Sequence, residues 1–263
     1  MDTKEEKDKL SLISYPQPWE EEIPEKKNES EESKRFSFSN FSSKFDEHIN
    51  QSIRGYSDLR NDVVSISKFF IENNTSVLDI GCSQGSLLKK MKEVNTHVTN
   101  TNYLGVDIND SFKQHWEEDE HLKYVIDDIT TMEIPNELSL VTSLFTFQFI
   151  PERHRLPLMK KIFDNLIEGG SFVFSEKVLS HTGKIQSMVD SIYYDFKRQN
   201  FTEKEKRDKE QELRHLQKLT NEDLLIKQLL DIGFRYIQPF WRNHNFVGYI
   251  GLKLPSNKME DMK

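Results

Sequence analysis

The run Val77-Leu78-Asp79-Ile80-Gly81-Cys82-Ser83-Gln84-Gly85, followed by Tyr103-Leu104-Gly105-Val106-Asp107, constrains this chain more than any other feature. It reads as a strand, a tight glycine turn and a second strand ending in an acid. Glycine has no Cβ and tolerates positive φ, so Gly81 and Gly85 let the backbone pass close under a ligand. A helix beginning near Ser86 then aims its free N–H groups at that ligand. Asp107 is placed to accept hydrogen bonds from both hydroxyls of a ribose, as the acid of a nucleotide-binding βαβ unit does. The loop contains neither G-x-G-x-x-G nor Gly-Lys-Ser/Thr, the signatures of dinucleotide and phosphate binding. Asp79, just ahead of Gly81, repels a pyrophosphate and favours an amino group. The expected ligand is therefore a nucleoside carrying an amino acid. Cys82 within the turn reads as a nucleophile or as a small side chain under the ligand, the second being the commoner reason.

The alternation of elements sets the fold class. Strands are predicted at 76–80, 103–107, 123–126, 139–145 and 171–175, with helices between them, notably 86–93 and 153–167. Such alternation implies an α/β, Rossmann-like, mostly parallel sheet with helices on both faces. Ligands then sit at the carboxyl ends of the strands, where the glycine turn, Asp107 and Asp128 fall. Ahead of the first strand, Phe45, Ile49 and Ile53 mark a short helix and Asp58 to Asn73 a second one. After Glu176 a charged helical stretch is predicted over about 184–218, as an insertion whose alternating charges read as a solvated face. The chain then ends in a helix over Asp223 to Gly233 and two strands, Tyr236 to Trp241 and Asn245 to Leu252, which form an antiparallel hairpin. The domain is expected to span 41–254. Residues 1–40 hold eleven acidic and seven basic side chains, a net −4 of the total −8, with too little apolar surface to order themselves. They read as a disordered acidic tail, with Tyr15 to Trp19 as a docking island or idle linker, and 255–263 as a second disordered tail.

Composition excludes several other functions. One cysteine among 263 residues rules out an intramolecular disulfide and fits a reducing compartment. The scattered histidines form no zinc pattern, so no metal is expected. There is no Gly-x-Ser-x-Gly elbow. Phe145-Thr146-Phe147-Gln148 stands where many amino-group methyltransferases carry Asn-Pro-Pro-Tyr. Lys204, Lys206, Arg207, Lys209 and Arg214 are interleaved with acids, which argues against direct nucleic-acid binding. Neither a membrane-spanning length nor a signal-peptide core is apparent, and a cytoplasmic protein is expected.

The form [VIL]-[VIL]-D-[VIL]-G-x-x-x-G is similar to motif I of the class I S-adenosylmethionine (SAM)-dependent methyltransferases. Further segments narrow the likeness. Phe45-Asp46-Glu47-His48-Ile49, Ser52-Ile53-Arg54-Gly55-Tyr56-Ser57, Phe145-Thr146-Phe147-Gln148-Phe149-Ile150, Gly169 to Lys177, Asp195-Phe196-Lys197-Arg198 and His244-Asn245-Phe246 together resemble the carboxy-SAM synthases of bacterial wobble-uridine modification. The resemblance implies a class I methyltransferase fold, a homodimer, and prephenate as the donor of carbon dioxide to the SAM methyl. It also implies cofactor contacts from Tyr56, the turn Gly81-Cys82-Ser83, Asp107-Ile108, Asp128-Ile129 and the position of Leu144, where the family has asparagine. Asp128 would face the adenine amino group, and the Tyr56 ring suits a sulfonium. Lys177, Tyr194 and Arg198 are the candidate substrate-binding groups, and no catalytic residue is assigned. The family's Lys-Arg pair, whose arginine holds the added carboxylate, aligns with Lys209-Glu210, and a glutamate repels a carboxylate. Arg207 or Arg214 would have to substitute. Three readings stand: a SAM-dependent methyltransferase with an unidentified acceptor, favoured because of Glu210; a carboxy-SAM synthase; and a non-catalytic SAM-binding protein.

Overall fold

The structure, a computed structural model, describes residues 45–255. The tail expected over 1–40, with its Tyr15 to Trp19 island, and residues 256–263 of the second tail lie outside them.

In chain order the elements are α1 (Phe45–Ser52), α2 (Tyr56–Ser67), β1 (Ser76–Ile80), α3 (Ser86–Val94), β2 (Asn102–Asp107), β3 (Leu122–Ile126), β4 (Leu138–Leu144), α4 (Glu152–Asn165) and β5 (Leu166–Leu179). They continue with α5 (Gly183–Lys197), α6 (Glu203–Leu213), β6 (Thr220–Asn221), α7 (Glu222–Ile232), β7 (Arg235–Asn243) and β8 (Phe246–Leu252). The sheet order is β3-β2-β1-β4-β5-β8-β7, with the short β6 beside β5. Strands β1 to β5 run parallel, and β8 pairs antiparallel with both β5 and β7. This is the expected mostly parallel sheet closed by an antiparallel hairpin.

Burial on both faces explains the composition of the central strands. Every residue of β4 but its last, Leu144, is buried, and the last four of β1 are buried too, as a strand covered on both sides requires. One face packs against α4 and α7 through Leu158, Ile162, Leu225 and Leu229. The other packs against α2 and α3 through Leu59, Val63, Leu88 and Met91. Each set of apolar residues recurs at helical spacing, so each helix presents one stripe to the sheet.

Three differences from the sequence reading have local causes. Strand β5 extends beyond 171–175 at both ends because Leu166 pairs with Leu138 of β4, while its later residues pair with β8 as far as Lys177↔Phe246 and then with β6. The second helix ends at Ser67, and turns and irregular backbone make up the remainder to Asn73. The helical stretch over 184–218 is two helices. The chain is interrupted at Thr202, whose hydroxyl accepts the Glu205 N–H while the Glu205 carboxylate accepts the Thr202 N–H, a reciprocal cap that starts α6. Most of α6 is exposed, but Lys206 is buried.

Gly81 is the position at which the backbone tolerates least. Its φ is +74°, and a Cβ there would run into the Thr146 side chain. Gly81→Ala is expected to cost roughly 1–2 kcal/mol for the left-handed conformation and roughly 1–3 kcal/mol for overpacking. Gly183→Ala is the control, since a Cβ there meets nothing within 4 Å. Thermal melts should show a drop of several degrees for the first variant and almost none for the second.

Candidate functional site

The turn after β1 is fixed by one carbonyl. The N–H groups of Gly81 and Cys82 both donate to the Val106 carbonyl oxygen of β2, at 2.8 and 3.1 Å. The register Ile80↔Val106 thus draws the turn over the end of the neighbouring strand. Ser83 and Gly85 both have positive φ. Opposite Gly85 lies the Tyr124 ring, which a Cβ would meet at 2.5 Å. Tyr124 stacks on Trp116, whose indole N–H donates to the Ser83 carbonyl. Cys82 is buried and burial raises its thiol pKa well above the ordinary value, so it has the character of a packed side chain and not of a thiolate nucleophile.

Asp107 ends β2 nearly out of solvent. Its two carboxylate oxygens accept the N–H groups of Ser83 and Asn109, each at 2.9 Å. Burial raises its pKa, and these backbone donors oppose the rise. The carboxylate keeps lone pairs for a ribose while also holding the turn. Ile108 beside it is 73% exposed, an apolar surface at the strand end where the adenine is expected. Asp79 is buried on the other side of the turn, accepts the Thr142 hydroxyl at 2.7 Å, and has its pKa pushed up to about 6 by burial. A ligand ammonium beside it would favour the ionised form. Asp128 is exposed and accepts both the N–H and the hydroxyl of Thr130. The Ile129 side chain, in contrast, is packed into the core, so only its backbone can face a ligand.

The loop after β4 closes the site. Leu144, at the end of β4, is partly buried, and Phe145 follows it with φ +58°. The Thr146 hydroxyl donates to the Ile80 carbonyl at 3.1 Å. Phe145 lies 6.2 Å from the Tyr56 ring and 5.5 Å, edge-on, from Phe246. Beneath the loop the buried Glu176 accepts the N–H groups of Phe147 and Gln148, and burial pushes its pKa up to about 8 despite the nearby Arg155. Arg155 itself donates to the Ile150 and Gln148 carbonyls.

The substrate-binding candidates separate. Lys177 lies with its ammonium 5.0 Å from the Tyr193 ring and 5.6 Å from that of Phe246, its partner across the strands. Lys197 also faces Tyr193, at 5.5 Å. Tyr194 instead carries Lys206 over its ring, and the exposed Arg198 is paired with Asp195 and Glu203. Helix phase accounts for this: residues 193 and 197 share one face of α5, and 194 and 198 lie a third of a turn away. Glu210 is exposed and acts on Lys177 and Tyr193 from a distance. Arg207 and Arg214 are exposed. Thr142, Thr146, Tyr193 and Lys197 were not singled out in the sequence, although the i, i+4 spacing of the last two was there to read.

The Glu176 shift predicts a pH dependence. A buried acid whose pKa is raised stabilises the fold below its unfolded value, and that contribution is lost as pH rises through the folded value. Wild-type melting temperature is therefore expected to fall between about pH 5 and 8, with Asp79 contributing at the lower end. Glu176→Gln should flatten the slope above pH 6 in calorimetric melts. An unchanged slope would place the titration elsewhere.

Known proteins resemble this arrangement at two levels. Residues 77–170 match the methyltransferase domain family. Among solved structures, human N-acetylserotonin methyltransferase in complex with SAM superposes with TM-score 0.55 at 16% identity, over 86% of this chain and 57% of that one. The SAM-dependent methyltransferase SibL superposes with TM-score 0.52 at 13% identity, over 74% of this chain and 55% of that one. These likenesses bear on the fold. In sequence, the carboxy-S-adenosyl-L-methionine synthase of Staphylococcus epidermidis is 33% identical over 213 residues, 80% of this chain and 92% of that protein. That of Shewanella piezotolerans is 32% identical over 220 residues, 80% of this chain and 88% of that protein. A kinship of this extent, on a methyltransferase-like fold, means that this chain belongs to the carboxy-S-adenosyl-L-methionine synthase family.

Proposed function

We propose that the protein is itself a carboxy-SAM synthase, holding SAM at the carboxyl edge of the sheet and adding a carboxyl group to its methyl. The observation that supports this most is the extent of the match, since the chain spans 92% of the Staphylococcus epidermidis synthase. Asp107 binds the ribose, the turn Gly81-Cys82-Ser83 passes under the ligand, Asp79 faces the amino group, Ile108 and Asp128 border the adenine, and Tyr56 and Phe145 flank the sulfonium. The positive sulfur acidifies its methyl group, so a C–H bond there can be replaced by a C–C bond to carbon dioxide. The donor is an acid such as prephenate, in which the bond to the ring carboxyl group breaks, its electron pair aromatises the ring and expels the ring hydroxyl as hydroxide, and the hydroxide takes up the methyl proton as water. The chain's own part is positioning of the two reactants in a water-poor site. The product would serve as a carboxymethyl donor in tRNA wobble-uridine modification, and the enzyme would work as a homodimer.

A methyltransferase acting on an unidentified acceptor is the second reading, favoured by Glu210, whose charge is felt at Lys177. Mass spectrometry separates the two. With SAM and prephenate, the synthase reading expects a nucleoside heavier than SAM by the mass of carbon dioxide, whereas SAM recovered unchanged would favour the second.

Ribose recognition is tested by Asp107→Ala. A charged hydrogen bond contributes about 1.5–3 kcal/mol, so calorimetry should find SAM affinity reduced roughly ten- to a hundredfold. Asp107→Asn, which keeps one acceptor for the turn, should lose less. Unchanged affinity in a folded Asp107→Ala protein would remove the assignment.

A further inference from the structure

An aromatic run leads away from the glycine turn. Tyr56, Phe145, Phe246 and Tyr193 follow one another at ring separations of 6.2, 5.5 and 5.3 Å. At its far end two ammonium groups face one ring: Lys177 lies 5.0 Å and Lys197 5.5 Å from the centroid of Tyr193. They come from different elements, β5 and α5, and the charge of Lys177 is felt at Lys197. The arrangement is costly in the free protein. Lys197 is only 9% exposed, and among the described residues neither ammonium has a carboxylate within ion-pair distance.

The surroundings do not supply a full counter-charge. Asp190 and Glu210 act on Lys177 only from beyond contact. Lys209, itself bridged to Glu212, and Lys206, bridged to Glu203, both add repulsion at Lys197. Burial and these like charges push the Lys197 pKa down to about 8. His48 of α1 stands near the same charges, and Lys209 and Lys197 add to the burial that lowers its pKa. Aromatic faces soften the repulsion without neutralising it. Two cations gathered in a half-buried aromatic setting are stabilised by an anion that bridges them.

We infer that Lys177 and Lys197, joined across the Tyr193 ring, form the subsite that holds the carboxylate transferred to the sulfonium methyl, in place of the arginine that position 210 lacks. This rests on the synthase reading and assigns its carboxylate-binding residues in this chain. It also accounts for how Glu210 is tolerated: the glutamate lies on the exposed helix α6 at the rim, and the two lysines reach the ligand from β5 and α5. Phe246, between Lys177 and Phe145, links the subsite to the place expected for the methyl group. Carboxylate recognition there serves either the donor acid or the carboxylated product, and the two sources are separable by experiment.

The test compares wild type with Lys197→Met, Lys177→Met and Lys197→Arg. Each is titrated with SAM and with carboxy-SAM by calorimetry and assayed with SAM and prephenate. Melting temperatures identify any variant that fails to fold, and the partly exposed Lys177 site is the safer of the two. Wild type is expected to prefer carboxy-SAM over SAM. Each methionine variant should lose roughly ten- to a hundredfold in affinity for carboxy-SAM with SAM affinity unchanged, and Lys197→Arg should retain most of it. A raised prephenate KM in the methionine variants with carboxy-SAM affinity intact would place the donor's carboxylate, and not the product's, on the lysines. If wild type shows no preference, or both methionine variants bind carboxy-SAM and turn over prephenate as wild type does, the subsite is refuted while the synthase reading stands. A lysine-dependent preference for carboxy-SAM in a protein that makes none would uphold the subsite and overturn the synthase reading.

Discussion

The Val106 carbonyl is the point on which the site depends. By accepting the N–H groups of both Gly81 and Cys82, it ties the turn of one strand to the end of its neighbour. Asp107, the next residue, accepts from Ser83. Two adjacent residues of β2 therefore set the position of three in the turn. Because both strands are parallel and buried on both faces, a one-residue slip would turn every side chain to the opposite side of the sheet and disrupt the packing of both layers. The rigidity of the core is passed directly to the ligand-binding backbone, which is what a fixed hydrogen-bonding surface for a nucleoside requires.

The loop after β4 completes the surface by a different means. It follows a strand flanked by β1 and β5, and three groups pull it down at once: the Thr146 hydroxyl on Ile80, Glu176 on the N–H groups of Phe147 and Gln148, and Arg155 on the Gln148 carbonyl. Burying an acid and a guanidinium is costly, and backbone partners offset only part of it, since one buried Glu176 oxygen has no hydrogen-bond partner among the described residues. The reward is a positive-φ Phe145 held against Tyr56 and Phe246. The hairpin β7–β8 matters for the same reason. Without β8 beside β5, Phe246 would not oppose Lys177, and the aromatic run would end at Phe145.

Much of this was legible in the sequence because short buried strands announce themselves. Each of the first five strands was placed within a residue or two at its start or its end, apart from the full reach of β5, and the glycine turn, Asp79 and Asp107 were read in their actual relation. What was lost followed from chemistry that a linear reading does not display. Ile129 was grouped with Asp128, and in the turn after β3 the apolar side chain of the two packs into the core, which leaves only its backbone toward the site. The break at Thr202 inside 184–218 was hidden by uninterrupted charge, although Thr202 and Glu205 carry the spacing of a reciprocal cap.

On α5 the candidates named from the sequence and the half-buried groups of the structure differ by one residue, and the reason is helix phase. Tyr194 and Arg198 were singled out as polar groups of the Asp-Phe-Lys-Arg helix, and a guanidinium is the usual choice for a carboxylate. On an exposed helix face, however, a guanidinium finds acidic neighbours first, and Arg198 has Asp195 and Glu203 within 3.3 Å. The face of α5 turned toward Phe246 and Lys177 is that of Tyr193 and Lys197, where among the described residues no acid pairs with either lysine, Asp190 acting on Lys177 only from a distance. Electrostatic availability, and not residue type alone, therefore separates a binding cation from a surface one. By that criterion a glutamate at position 210 stands beside a neighbourhood that holds several positive charges. The acid sits where water screens it, while the cations on β5 and α5 lie where screening is weak. Burial thus gives Lys197 more weight on a bound anion than Glu210 has at the rim.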